Sequence, residues 1–175
     1  MKLLIGLSGK KRSGKDTAAN MIRVALPQYN VVTLSFALPL KAMVARGYNV
    51  SIEQLENEKA RWRKALQFTG SYCRELYGDD YWIRQLNTEL NKCDDNDVVI
   101  VTDVRYVNEA NYIRKLGGVV VRVNRPNVDT FDMHSSETEL DTYEHFWHKF
   151  TAMDLSELQN EVNNITKKLH EEKKI

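Results

Sequence analysis

The sequence predicts an α/β fold in which a parallel sheet is covered by helices on both faces. Short, wholly apolar runs recur along the chain, as in strands that are buried on both sides. Segments whose apolar residues recur at every third or fourth position separate these runs and predict helices. A glycine-bearing loop joins the first predicted strand to the first predicted helix, which matches the strand–loop–helix units of such folds.

The predicted strands are the apolar and β-branched runs of the chain. They cover residues 3–7, 30–36, 98–101, 119–123 and 146–152. The charged and amide residues 94–97 form a turn before the third strand. Because strands and helices alternate along the chain, the strands are expected to lie parallel in one sheet.

Prolines and glycines set the predicted limits of the first helices. The first helix follows the glycine loop and ends before Pro27, since a proline disfavours a helical conformation in the residue before it. Pro39 opens the second helix and Gly47 ends it. A helical pattern then continues to about residue 91, with a break near Gly78. We interpret residues 39–91 as a helical insertion over the sheet edge.

Capping residues predict where the other helices begin. Ser51 and Gln54 have the spacing of a capping box, and Asp154 and Glu157 repeat it before the last helix. Asn108 is predicted to cap the helix that follows the third strand.

Length and charge limit the classes of protein to which the chain can belong. Its 175 residues fit a single domain, and 25 Lys and Arg against 24 Asp and Glu leave a net charge of +1. This balance excludes a strongly basic nucleic-acid binder, and no apolar run reaches membrane length. Cys73 and Cys93 form no CxxC motif, so we expect a reduced, cytoplasmic protein. The residues leave the oligomeric state open between a monomer and a homodimer.

The glycine loop has the spacing of a phosphate-binding loop. Four residues separate Gly9 from Gly14, and Lys15 follows at the start of the predicted helix. Glycines allow the backbone amides to turn inward around phosphate oxygens, and the helix N-terminus adds its positive dipole end. A glycine-bearing surface turn is the alternative, but the strand before the loop and the helix after it favour phosphate binding.

One position departs from the general phosphate-loop motif. The residue after Lys15 is Asp16, where a serine or threonine ordinarily binds Mg²⁺, and Thr17 comes one position later. A carboxylate at this position could bind Mg²⁺ or orient an attacking phosphate through a water, and we predict a role linked to the metal. A phosphate group that came close to this carboxylate would be repelled by its negative charge unless a cation lay between them.

Further polar residues follow the carboxyl ends of predicted strands, where ligands bind in parallel sheets. Asp103 ends an apolar strand and is predicted to support Mg²⁺; the alternative is a helix- or turn-capping role. Arg105 lies two residues later and could bind a phosphate, or it could pair with Glu109 at the surface.

The polar segment 124–136 follows the fourth strand and is predicted as a lid loop. Arg122 and Arg125 flank its start, and a lid that carries arginines over a transferring phosphoryl group would neutralise its charge. The alternative is a solvent-exposed loop.

With these residues identified, the chain resembles the deoxynucleoside monophosphate kinases of the kind encoded by bacteriophages. The resemblance covers residues 4–137 in the family's order. It rests on the segments GKKRSGKDT, SFALPLK, LQFTGSYCRELYGDDYW, TDVRYVNEANYIRKLGGVVVRVNRP and HSSE. The implied fold is a P-loop NTPase-type sheet with a helical acceptor-binding insertion and a lid loop. The implied reaction transfers the γ-phosphoryl group of ATP to a deoxynucleoside monophosphate, with Mg²⁺ as cofactor.

The resemblance also implies roles for individual residues. Lys15 would hold the β- and γ-phosphates, Asp16, Thr17 and Asp103 would serve the metal, and Arg125 would belong to the lid. The ATP-binding loop would comprise Gly9, Lys11, Arg12, Ser13, Gly14, Lys15, Asp16 and Thr17. The residues that would face the acceptor are Lys41, Gln67, Arg74 and Arg105. Of these sets, Lys15, Asp16, Arg105 and Arg125 would be catalytic.

The sequence of the glycine loop does not by itself identify the molecule that accepts the phosphoryl group. Phosphomevalonate kinase of the animal type has a similar loop with aspartate after the lysine. Kinases of other small phosphorylated acceptors, such as phosphomevalonate or dephospho-coenzyme A, therefore remain an alternative. A regulatory protein that binds ATP without catalysis is a third reading, although it would have little use for a lid that carries arginines.

Overall fold

The computed structural model describes residues 2–126, 133–172 and 174–175. Within these ranges five strands form one sheet with the order β2-β3-β1-β4-β5, and every neighbouring pair is parallel. The strands are β1 Leu3–Ser8, β2 Val31–Leu34, β3 Val98–Val104, β4 Val119–Asn124 and β5 His148–Thr151. The predicted parallel sheet is confirmed.

Helices cover both faces of this sheet. They are α1 Lys15–Ala25, α2 Ala37–Tyr48, α3 Ile52–Asn57, α4 Lys59–Tyr77, α5 Tyr81–Leu90, α6 Val107–Lys115, α7 Ser135–Thr138 and α8 Leu155–Glu171, with a 3₁₀ turn at Glu139–Thr142. No helix within the described ranges is both long enough and apolar enough to cross a membrane.

The alternation of side chains along β1 builds two separate hydrophobic layers. Ile5 and Leu7 pack on one face with α1 and α8, whereas Leu4 packs on the other face with α5 and α6. All three side chains are almost fully buried. A strand that is covered on both faces must be apolar at every position, which explains the uninterrupted run near the N-terminus.

The strand order places a ligand-binding crevice between β1 and β3. From β1 the chain crosses β3 to reach β2, whereas from β3 it crosses β1 to reach β4. Right-handed crossovers in opposite directions put α1 and α6 on opposite faces of the sheet. The loops that leave β1 and β3 therefore diverge, and they open a crevice at the carboxyl ends of these strands.

Helices α2 to α5 lie between β2 and β3, in the segment predicted as an insertion. Val44, Ala45 and Leu55 form a small core of their own there, against which Trp62 and Leu66 pack. Helix α5 anchors this group to the sheet, since its buried side chains belong to the layer beneath α6.

Several predicted boundaries were wrong. Strand β2 is shorter than residues 30–36, and the helical stretch after Ser51 breaks at Glu58 as well as near Gly78. Asn108 lies inside α6 and does not cap it, because the helix begins one residue earlier, at Val107. The backbone amide of Tyr106 instead donates to the carboxylate of Glu109 at 3.1 Å.

The two predicted capping boxes differ. At α3 the Ser51 hydroxyl accepts from the Gln54 amide and the Gln54 side chain accepts from the Ser51 amide, as predicted. At α8 the Asp154 carboxylate accepts from the Glu157 amide at 2.9 Å. The Glu157 side chain, however, accepts from the amide of Met153, one residue before the cap.

Candidate functional site

The phosphate-loop candidate occupies the turn between β1 and α1. Gly9 is buried, and a Cβ atom there would lie 2.3 Å from Ser13 Oγ and 2.5 Å from the carbonyl oxygen of Val123. Gly14 has φ +95° and Arg12 has φ 62°, both in the left-handed region. The backbone of Gly9 thus packs too closely for any side chain, and Gly14 takes a conformation that favours glycine.

Lys15 is the first residue of α1 and is only 8% exposed. Burial lowers the pKa of its ammonium group and nearby Arg105 lowers it further, while the carboxylates of Asp16, Glu137 and Asp103 act in the opposite direction. A buried ammonium group at a helix N-terminus, with little water around it, interacts strongly with an incoming phosphate. Asp16 and Thr17 follow in the first turn of α1, and both are exposed.

Asp103 lies at the carboxyl end of β3 and accepts three hydrogen bonds. Its Oδ1 atom accepts from the amide of Phe36 at 2.8 Å. Its Oδ2 atom accepts from the amide of Ala37 at 2.8 Å and from the hydroxyl of Ser35 at 2.9 Å. Asp103 thereby satisfies free amides at the start of α2, which is the capping role given above as the alternative. The predicted contact of Asp103 with a metal stays a prediction.

A cavity of about 800 Å³ extends from the phosphate loop across the ends of β2 and β3 to the helical insertion. Eight of the predicted site residues line it: Lys11, Arg12, Lys15, Asp16, Lys41, Gln67, Asp103 and Arg105. Gly9, Ser13, Gly14, Thr17, Arg74 and Arg125 do not line the described part of the cavity. The arrangement brings the glycine loop and the insertion to one space, as expected from the strand order.

Lys41 lies at the insertion side of the cavity, where it pairs with Glu56. Lys59 pairs with the other carboxylate oxygen of Glu56 at 2.6 Å. Burial alone would raise the pKa of Glu56, but the hydrogen bonds from the two lysines lower it overall. The wall of the cavity thus carries more positive than negative charge here, which suits a phosphorylated ligand.

Arg74 lies close to the cavity without lining it. Its guanidinium group packs on the ring of Tyr106, with 3.9 Å between Cζ and the ring centroid, and Tyr106 does line the cavity. One of its nitrogens is 3.6 Å from Asp79 Oδ1. Its other terminal nitrogen, Nη1, is buried and has no hydrogen-bond partner among the described residues.

The prediction that Arg122 belongs to a lid was wrong. Arg122 is buried within β4, where it donates to Ser8 Oγ at 2.9 Å and to Asp141 Oδ1 at 2.7 Å. Ser8 is its register partner in β1, so the two side chains lie on the same face of the sheet and Arg122 does not enter the loop. Arg125 is exposed just after β4, at the same edge of the sheet as Lys15. Residues 127–132 of the predicted lid lie outside the described residues.

Two glutamates of the site were not assigned from the sequence. Glu137 in α7 is buried and accepts hydrogen bonds from Arg105, Arg63 and the backbone of Lys11. Glu109 in α6 is 2% exposed, and its burial raises its pKa to about 8. Both lie in segments that carried the resemblance, HSSE and DVR-x-x-NEA, but nothing local marks them as buried.

Comparison with known proteins places the chain in a family. Residues 7–118 match the model of the phosphomevalonate kinase family. The chain is also 32% identical over 161 residues to a protein of Acanthamoeba polyphaga mimivirus named "Putative deoxynucleotide monophosphate kinase", covering 79% of this chain and 82% of the viral protein.

Solved structures share the fold. TT1252 from Thermus thermophilus aligns over 96% of this chain and 98% of its own with a TM-score of 0.56 and 15% identity. Shikimate kinase from Acinetobacter baumannii in complex with shikimate aligns over 99% of this chain and 96% of its own, with a TM-score of 0.50 and 12% identity. The solved structures thus share the fold of the chain, and by its sequence the chain belongs to the phosphomevalonate kinase family and is related to the viral protein.

Proposed function

We propose that the protein transfers the γ-phosphoryl group of ATP to a deoxynucleoside 5′-monophosphate, giving the diphosphate and ADP. The observation that carries this proposal is the single cavity that joins the phosphate loop to the cationic wall of the helical insertion. Such a space lets two phosphorylated substrates meet. The choice of a deoxynucleotide as acceptor comes from the name of the viral relative and from the segments that carry the resemblance.

On the donor side, the loop from Gly9 to Thr17 would cradle the phosphates of ATP. Lys15 would hold the β- and γ-phosphates from its buried position at the start of α1. Mg²⁺ would neutralise charge on the transferring group. The residues present fit this ion, because the carboxylates of Asp16 and Asp103 line the same cavity. Mg²⁺ commonly binds one or two carboxylates together with the phosphates of the substrate.

On the acceptor side, the protein must bring a second phosphate close to the first. Two phosphate groups repel each other, so cations near both are needed to lower the barrier. Arg105 and Lys41 line the cavity and would bind the acceptor phosphate, and Gln67 would contact the nucleoside. Arg74, whose guanidinium group packs on Tyr106 of the cavity wall, would face the acceptor with them, and Arg125 would belong to the lid.

A second candidate acceptor is phosphomevalonate. The match of residues 7–118 to the phosphomevalonate kinase family favours it, since this range includes the phosphate loop, the insertion and Asp103. Both acceptors carry a phosphate that Arg105 and Lys41 could bind. They differ in the remainder of the molecule, because a nucleobase offers a planar, hydrogen-bonding surface that mevalonate lacks.

An ADP-release assay across the deoxynucleoside monophosphates tests the proposal. Phosphomevalonate and dephospho-coenzyme A serve as competing acceptors, and a Lys15→Ala variant gives the background rate. We expect acceptor-dependent ADP release with at least one deoxynucleotide. ADP release with phosphomevalonate alone would identify phosphomevalonate as the acceptor instead. ATP binding without any acceptor-stimulated ADP release would indicate a regulatory protein.

A further inference from the structure

Glu137 joins three separate parts of the site through one carboxylate. Its Oε1 atom accepts from Arg105 Nη1 at 2.5 Å and from Arg63 Nη2 at 3.3 Å. Its Oε2 atom accepts from the backbone amide of Lys11 at 3.2 Å. Lys11 belongs to the phosphate loop, Arg105 follows β3, and Arg63 lies in α4 of the insertion.

The environment of Glu137 indicates a role in orientation. Its side chain is only 6% exposed, so the two guanidinium groups must offset the cost of burying its charge. The positive charges of the two arginines beside this carboxylate oppose the approach of a Mg²⁺ ion or a proton. What it can do is restrict the positions of these arginines.

The segment that carries Glu137 has further contacts with the same loops. Asp141 pairs with Lys10 of the phosphate loop at 2.8 Å. The Glu139 carboxylate accepts from the amide of Val107 at 2.9 Å, and the Ser136 carbonyl accepts from Arg105 Nη1 at 3.1 Å. Residues 135–142 are thus fixed against the phosphate loop and the end of β3, which gives Glu137 a rigid support.

We propose that Glu137 is a positioning residue for phosphoryl transfer. It fixes Arg105 and Arg63 at the junction between the donor and acceptor halves of the cavity and at the same time contacts the phosphate loop. This inference rests on the proposed function, since it requires Arg105 to act on the acceptor or the transferring phosphoryl group. A misplacement of about 1 Å in such a group is enough to cost on the order of a hundredfold in rate.

The test compares Glu137→Gln with Glu144→Gln. Glutamine keeps the size of the side chain and one acceptor oxygen but removes the charge that binds the two arginines. Glu144 is an exposed carboxylate shortly after the same segment, does not line the cavity, and serves as the matched control. We expect Glu137→Gln to lower kcat/KM for the acceptor by roughly 30- to 100-fold, with the affinity for ATP changed less than about threefold. Glu144→Gln should retain wild-type kinetics.

A double variant separates positioning from general stability. If Glu137 acts through Arg105, then combining Glu137→Gln with Arg105→Ala should cost little more than Arg105→Ala alone. A merely structural role predicts additive losses that follow the fall in melting temperature, and that result would overturn the proposal. A gain in affinity for ATP in Glu137→Gln would also overturn it, because the carboxylate would then be occupying the place of a phosphate.

The wild-type assay keeps this inference distinct from the proposed function. If the wild-type protein turns over no acceptor, both proposals fail. If it turns over an acceptor at the same kcat/KM as Glu137→Gln, only the positioning role fails.

Discussion

Asp16 is the acidic residue next to the buried Lys15, and it is exposed to the cavity. We expect Asp16→Asn to lower kcat by on the order of a hundredfold or more while ATP binding persists, because the change removes the charge that would serve the metal. Steady-state kinetics together with equilibrium ATP binding measure the two effects. Glu53→Gln, which alters an exposed acid in the first turn of α3, is the matched control. Near-normal turnover in Asp16→Asn would contradict a metal-linked role.

The buried carboxyl group of Glu109 makes stability depend on pH. Burial raises its pKa in the folded protein to about 8 from an ordinary value of 4.5, and neighbouring Asp103 raises it as well. The folded state therefore binds the proton more tightly than the unfolded state. Its contribution to stability is complete below pH 4.5 and is lost as the pH rises to about 8.

Glu109→Gln is expected to reduce this dependence. A glutamine oxygen can still accept from the amides of Arg105 and Tyr106, which lie 2.9 and 3.1 Å from the Glu109 carboxylate, but it carries no charge to desolvate. The free energy of unfolding should fall less steeply between pH 5 and 8 than in the wild type, where the slope from this group is at most about 1.4 kcal/mol per pH unit. Urea unfolding at several pH values measures it. Equal slopes in both proteins would show that Glu109 ionises normally.

At the scale of an element, the phosphate loop depends on close backbone packing. Gly9→Ala would place a Cβ atom 2.5 Å from the carbonyl oxygen of Val123 in β4. We expect the substitution to cost about 1–3 kcal/mol in stability and to weaken ATP binding, since the loop must move away from β4. Thermal unfolding and ATP titration measure the two effects.

Gly47 provides the opposite case in α2. A Cβ atom there meets nothing within 4 Å, so Gly47→Ala should raise stability by roughly 0.5–1 kcal/mol through helix propensity. A Gly9→Ala protein as stable as Gly47→Ala would contradict the close packing of the loop.

For the whole molecule, the phosphate loop, the ends of β2 and β3 and the helical insertion line the same cavity. Under the proposed function, ATP and a deoxynucleoside monophosphate should each raise the melting temperature when added alone, because a ligand that binds only the folded protein stabilises it. A ligand at one hundred times its dissociation constant adds about 2.7 kcal/mol to stability. Differential scanning fluorimetry with each ligand separately and then with both measures this effect. Competition between the two ligands, with no added stabilisation from the pair, would contradict separate donor and acceptor positions.

Much of the fold could be predicted because its signals are local. The apolar runs of β1, β3 and β4 and the spacing of the glycine loop are properties of short segments, and each appears in the structure where it was expected. Asn108 shows the limit of this reasoning. A residue with capping propensity lies inside α6, while the amides of Tyr106 and Val107 at the helix start donate to Glu109 and to Glu139, which is 32 positions away.

Arg122 and Glu137 show the same limit within the site. Arg122 was expected in a lid, but it is buried on one face of the sheet beside its register partner Ser8. Glu137 binds a backbone amide 126 positions earlier in the chain, and no local pattern encodes that partner.

The amino-acid sequence on its own determined the layered α/β architecture, the phosphate loop and the residue types that could act on a phosphate, since hydrophobic periodicity and glycine spacing act over a few neighbouring residues. Only the tertiary structure decided which charges meet. The parallel order β2-β3-β1-β4-β5 brings the ends of β1 and β3 together, and residues 135–142 contact the loops that follow both strands. Electrostatic partners depend on distance in space, and the topology of the sheet sets that distance.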